Sequence, residues 1–199
     1  MSQGARHVQV IVAMGASTGG PAAFAAILRD LPVLDGCAVM IAQHLPAAFT
    51  ASFAERLNRE SAWAVGEARD GDLVEPGQCY VAPGGKRTEI LQSGMELRCA
   101  VRPPAPQDVY LPSIDALFAS VARVRGVRAV GVLLTGMGRD GVEGLRAIRE
   151  AGGFTIAEAA ETAVVDGMPR RAREAGWVDE TVALHDIAAR LAEICRVGR

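Results

Sequence analysis

What the chain lacks narrows its function before any motif is considered. It has no excess of positive charge, since 21 basic and 23 acidic residues give a formal net charge of -2. Mixed along the sequence, they supply no extended field to neutralise phosphates, so a nucleic-acid partner is not expected. It has no long hydrophobic run at its start. The N-terminal stretch offers only about seven apolar residues before Gly15, too few to span a bilayer and without a signal-peptide layout. Membrane insertion is therefore not expected, and the cytoplasm is the expected location. No C-x-x-C pair joins any of Cys37, Cys79, Cys99 and Cys195, and no histidine stands at zinc-ligand spacing from them. Buried free thiols are expected, with no metal and no cofactor. Walker A is absent, as are internal repeats and low-complexity tracts.

What is present belongs to an ordinary globular protein. Half of the 199 residues are apolar and 22% are charged, enough to build one packed core. Val8 to Met14, Cys37 to Ala42 and Val127 to Leu134 are nearly continuous apolar runs, as strands buried on both faces tend to be. Helices are expected from Pro21 to Arg29, Ala48 to Arg59, Ser113 to Val124, and from Gly141 to near Ala151. Two more are expected at Pro169 to Ala175 and His185 to Arg196. Proline suits the first helical turn, and Ser113 can cap its helix. Between Trp63 and Pro106, Asp70-Gly71, Pro76-Gly77, Pro83-Gly84-Gly85 and Ser93-Gly94 punctuate short runs that read as strands and hairpins. Val101 to Pro112 reads as a loop. Phe154 to Ala157 and Trp177-Val178 complete the expected strands. The alternation predicts a single α/β domain over residues 1–199, doubly wound, with a mostly parallel sheet and helices on both faces.

In such sheets the ligand crevice lies beyond the carboxyl ends of the strands. Three polar residues fall there. Ser17 follows the first strand in Gly15-Ala16-Ser17-Thr18-Gly19-Gly20, His44 follows the second, and Asp140 follows Val127 to Leu134. Serine needs a base to lose its proton as it attacks. Histidine titrates near neutrality and can take that proton and return it. A carboxylate on the other ring nitrogen fixes the tautomer and stabilises the imidazolium. Each residue also has a structural reading. Ser17 and Asp140 suit helix N-caps, and His44 suits a packed position with its nitrogens bonded to backbone. The glycines do not make a dinucleotide loop, because the spacing is not G-x-G-x-x-G and Gln43-His44 stands where an acidic ribose ligand would be needed.

Six ordered blocks carry a resemblance. They are GASTGGP (Gly15 to Pro21), QHLP (Gln43 to Pro46) with the following FTASFAERL, EARDGDLVEPGQCYVAPGG (Glu67 to Gly85), PSIDALFASVA (Pro112 to Ala122), LLTGMGRDGVEGL (Leu133 to Leu145) and GMPRRA (Gly167 to Ala172). Together they resemble the catalytic domain of the CheB protein-glutamate methylesterase family from Val8 to Ala192. The resemblance implies hydrolysis of glutamyl methyl esters on the cytoplasmic helices of chemoreceptors, usually with deamidation of particular glutamines. It implies Ser17, His44 and Asp140 as the catalytic residues and the backbone amides of Thr18 and Met137 as oxyanion donors. Family members commonly carry an N-terminal receiver domain. Only seven residues precede the first expected strand here, so the expectation is a catalytic domain alone, whether natural or excised, with any receiver-type regulator a separate partner. Three positions depart from the family's pattern: Arg87 where histidine is usual, Leu111 where arginine often precedes the proline, and Glu158 where glutamine is more often found. A catalytically silent receptor-binding module and a general carboxylesterase or amidase are the alternative functions.

Overall fold

The computed structural model describes residues 7–196. Apolar runs without polar interruption become its central strands. β1 (Val10–Ala16) and β2 (Cys37–Gln43) are buried at every position. Along β1 the side chains alternate between two cores. Val10, Val12, Met14 and Ala16 enter one, while Ile11 and Ala13 enter the other, as the two-residue period of a strand requires.

Among the described residues, one wholly parallel sheet has the order β3-β4-β2-β1-β7-β8-β9. Its other strands are β3 (Ala64–Glu67), β4 (Gln78–Val81), β7 (Arg128–Leu133), β8 (Phe154–Glu158) and β9 (Glu180–Val182). The chain runs outward from β1 through β2 and returns to β7 on its other side. The order therefore switches at β1, where α/β sheets open a crevice.

Against one face pack α1 (Gly20–Asp30), α2 (Ala47–Glu60) and α6 (Leu184–Ile194), through Phe24, Leu28, Phe53, Leu57 and Leu191. Against the other pack α3 (Ile114–Ala122), α4 (Val142–Glu150) and α5 (Met168–Glu174), through Leu117, Phe118, Leu145, Ile148 and Met168. Ser113 caps α3 as expected, accepting from Ala116 N at 3.1 Å.

Two expectations need correction. The middle of the chain contributes one hairpin, β5 (Arg87–Ser93) with β6 (Glu96–Arg102), turning at Gly94 with φ of 60°. The shorter runs β3 and β4 instead extend the main sheet in parallel, because Cys79, Tyr80 and Val81 register against Val39, Met40 and Ile41 of β2. The last strand is β9, not Trp177-Val178. Trp177 and Val178 pack against the second core, and the Asp179 carboxylate accepts from both the amide and the hydroxyl of Thr155. The ladder with β8 then begins at Glu180. No helix among the described residues is long and apolar enough to cross a membrane.

Candidate active site

Strand register brings the first two site residues together. Ala16 of β1 pairs with Gln43 of β2, and His44 N donates to Ala16 O at 3.1 Å. Ser17 and His44 are the next residues on neighbouring parallel strands, a separation of about 4.8 Å between backbones. Ser17 is fixed from both sides. Its N–H donates to Thr135 O at 2.9 Å, and its carbonyl accepts from Gln43 Nε2 at 2.8 Å. The Ser17 hydroxyl itself has no hydrogen bond among the described residues. It does not cap α1, whose N-cap is Gly19 with φ of 86° and no side-chain cap bond.

Asp140 closes the constellation. Its Oδ2 lies 2.8 Å from His44 Nε2, across 96 residues of sequence. The carboxylate is 4% exposed. It is not the cap of its own helix, because Gly141 holds the N-cap of α4 in the left-handed region, with φ of 93° and no side-chain bond. Asp140 instead accepts from the first amides of α3, Ile114 N at 2.8 Å and Asp115 N at 2.9 Å. A helix N-terminus favours negative charge, and two fixed donors leave the carboxylate one orientation toward the imidazole. With Nε2 committed to Asp140, Nδ1 is the His44 nitrogen left without a hydrogen bond among the described residues.

Tyr110 covers the imidazole from the loop after β6, stacked at 5.0 Å between ring centroids and 10° between planes. Arg87 anchors that loop by pairing with Asp108 as well as Glu89. A cleft of about 500 Å³ opens beside Asp140, bordered by Arg87, Tyr110, Asp115, Arg139 and Glu143. Burial pushes the Asp115 carboxyl up to about 6, with the Asp140 charge adding, against the amides of Gly144 and Gly141 that stabilise its ionised form.

The turn after β7 completes the site. A Cβ on Gly136 would fall 2.7 Å from Ser17 Cβ and 3.0 Å from Ser17 N. Only glycine permits that approach of the turn to Ser17. Neither the Thr18 amide nor the Met137 amide has an acceptor among the described residues. Thr135 is the hub beneath them: besides receiving Ser17 N, it donates its hydroxyl to Thr18 O at 2.9 Å. Its own amide donates to the buried Glu158 at 2.8 Å. No group of three or more His, Cys, Asp or Glu among the described residues could hold a metal ion.

All five sequence-predicted positions thus lie at the carboxyl end of β1, β2 and β7. Sequence reasoning missed Tyr110, Asp115, Thr135 and Gly136 as parts of the site. Asp115 had a local signal, an acidic residue in the first turn of α3; Tyr110 had none in its loop.

A family model described as CheB methylesterase matches residues 12–191. The protein-glutamate methylesterase/protein-glutamine glutaminase 1 of Myxococcus xanthus (strain DK1622) is 48% identical over 190 residues, covering 96% of this chain and 55% of that protein. The protein-glutamate methylesterase/protein-glutamine glutaminase of Salmonella typhi is 46% identical over 181 residues, covering 91% and 52%. The chain thus spans about half the length of these relatives. The crystal structure of the Thermotoga maritima CheB methylesterase catalytic domain superposes with a TM-score of 0.89 at 34% identity, covering 94% of this chain and 98% of that one.

Proposed function

Because the chain belongs to the CheB methylesterase family, we propose that it is a serine hydrolase that removes methyl groups from glutamate 5-O-methyl esters on the cytoplasmic helices of chemoreceptors. Deamidation of receptor glutamines belongs to the same proposal, as does control by a receiver-type partner. The observation that carries the chemistry is the 2.8 Å contact of His44 with Asp140 beside the unbonded hydroxyl of Ser17.

In the mechanism, Ser17 Oγ attacks the side-chain ester carbonyl as His44 Nδ1 takes its proton. The carbonyl oxygen becomes an oxyanion facing the amides of Thr18 and Met137. Such preorganised donors are worth about 3–4 kcal/mol each in acyl transfer. The bond to the methoxy oxygen then breaks, and methanol leaves with the proton from His44. Water attacks the resulting acyl-serine, giving its proton to His44, and Ser17 departs with that proton as glutamate is released. With a glutamine substrate the leaving group is ammonia. Asp140 holds the imidazole and balances its charge in both halves.

The test is release of labelled methanol from receptor carrying labelled methyl esters. Wild type should release it, and Ser17→Ala should fall to the uncatalysed background. Release that survives Ser17→Ala, or no release from any cognate receptor, would overturn the proposal.

A further inference from the structure

Beneath Thr135 lie two carboxyl groups that the proposed mechanism does not use. Glu158, at the end of β8, is 0% exposed. Its Oε2 accepts the Thr135 amide at 2.8 Å, but its Oε1 is buried with no partner. Asp166 has the same defect: Oδ2 accepts from Arg173 at 2.6 Å, and the buried Oδ1 has no partner. The two are neighbours. One Arg173 guanidinium reaches both Asp166 Oδ2 and the Glu158 backbone carbonyl, the latter at 2.8 Å. Asp166 also bridges to Gly136, the residue after Thr135.

Two ionised carboxylates here would leave two acceptors desolvated and unpaired, with one guanidinium to balance two charges. Each such vacancy is costly in a low-dielectric interior. A single proton removes both, by turning one acceptor into a donor. We propose that Glu158 is a neutral carboxylic acid that donates from Oε1 toward Asp166 Oδ1, and that this shared proton positions Thr135 and through it Ser17 and Thr18.

The surroundings fix which group carries the proton. Arg173, on α5, pairs with Asp166 through its side chain and with Glu158 only through backbone. The Thr162 hydroxyl donates to the Ala159 carbonyl at 3.2 Å and also lies close enough to the Glu158 carboxyl to favour its ionised form. From the turn after β7, Glu158 receives the Thr135 amide, and on β9 it registers against the apolar Val182. Burial raises the Glu158 carboxyl above its ordinary range and the Asp166 charge adds to this, while the Thr135 amide and the Thr162 hydroxyl oppose it. Loss of the proton at high pH would set Glu158 against Asp166 and displace the carboxyl that receives the Thr135 amide. Glu158 is accordingly a positioning residue, acting on Ser17 through Thr135.

The test is the infrared difference between wild type and Glu158→Gln at pH 7, with thermal unfolding of both from pH 4 to 9. A glutamine amide can make the same donation at any pH. The expected result is a protonated-carboxyl carbonyl band present only in wild type. Wild type should also lose thermal midpoint relative to Glu158→Gln as pH rises above about 4.5, by as much as about 3–5 °C per pH unit while the proton is retained only in the folded state. Asp166→Asn approaches the same proton from the other side. It removes the repelling charge and frees Arg173 to favour ionised Glu158, so the band should disappear. A missing band in wild type, together with a pH-independent gap in midpoint, would overturn the proposal. Neither readout requires turnover, so failure of the hydrolase reading would leave this result intact.

Discussion

Asp140 and Asp115 cap each other's helices. Asp140 accepts the Ile114 and Asp115 amides that open α3, and Asp115 accepts the Gly141 and Gly144 amides that open α4 at 2.9 and 2.7 Å. The carboxylate that touches His44 is thereby built into the packing of α3 against α4. Its position cannot change without disturbing both helix starts.

Asp140→Asn should separate the two roles of that carboxylate. The amide cannot accept at both oxygens and still receive the His44 proton, so hydrolysis should fall about 10,000-fold, the scale for a carboxylate that fixes a histidine tautomer. One helix amide loses its acceptor, costing about 1–3 kcal/mol. Ester-hydrolysis kinetics and urea unfolding read the two separately. A rate near wild type would count against Asp140 as the orienting group.

Asp115 should give stability a pH dependence. Its folded value of about 6 lies above the ordinary 3.8, so the folded state binds a proton that the unfolded chain has lost. The stability this contributes is complete below about pH 4 and disappears as pH rises through 6. Wild type should therefore lose about 2 kcal/mol relative to Asp115→Asn between pH 4 and 7. Parallel unfolding curves across that range would refute the assignment.

Gly136→Ala should cost activity more than stability. The added methyl meets Ser17 Cβ at 2.7 Å and Met168 Cε at 2.6 Å. The flexible methionine can yield, but the Ser17 backbone is held by Thr135 and Gln43. A displacement of about 1 Å at a reacting group lowers rates by about 100-fold, against about 1–3 kcal/mol for overpacking. Single-turnover kinetics beside thermal unfolding would show whether that order holds.

Tyr110 contributes a face rather than its hydroxyl to His44, since the rings stack at 10°. Tyr110→Phe should keep kcat within about twofold. Tyr110→Ala, which removes about 1 kcal/mol of ring contact, should lower kcat by about tenfold. Equal losses in both variants would assign the effect to the hydroxyl instead, which lies near Gly138.

Much of this arrangement is legible in the residues alone. Runs buried on both faces need no knowledge of their partners to be read as central strands, and Val8 to Met14 and Cys37 to Ala42 differ from β1 and β2 only at their ends. Polar residues at the ends of such runs point to the crevice because parallel sheets gather their loops there. The short strands were harder. β9 has three residues and no apolar run, and its place follows from a carboxylate at Asp179 that meets Thr155 24 residues away.

The sequence by itself determined the strand periods, the helix starts and the residue types at the carboxyl end of β1, β2 and β7, because these depend on neighbours a few positions apart. Only the tertiary structure decided what those residues touch. Locally, Asp140 had as good a claim to the N-terminus of its own helix as to any partner. The packing of α3 against α4 turned it to Ile114, Asp115 and His44 instead. Register did the same for Ser17 and His44. A hydrogen bond across 96 residues is set by how layers stack, and that has no local pattern to reveal it.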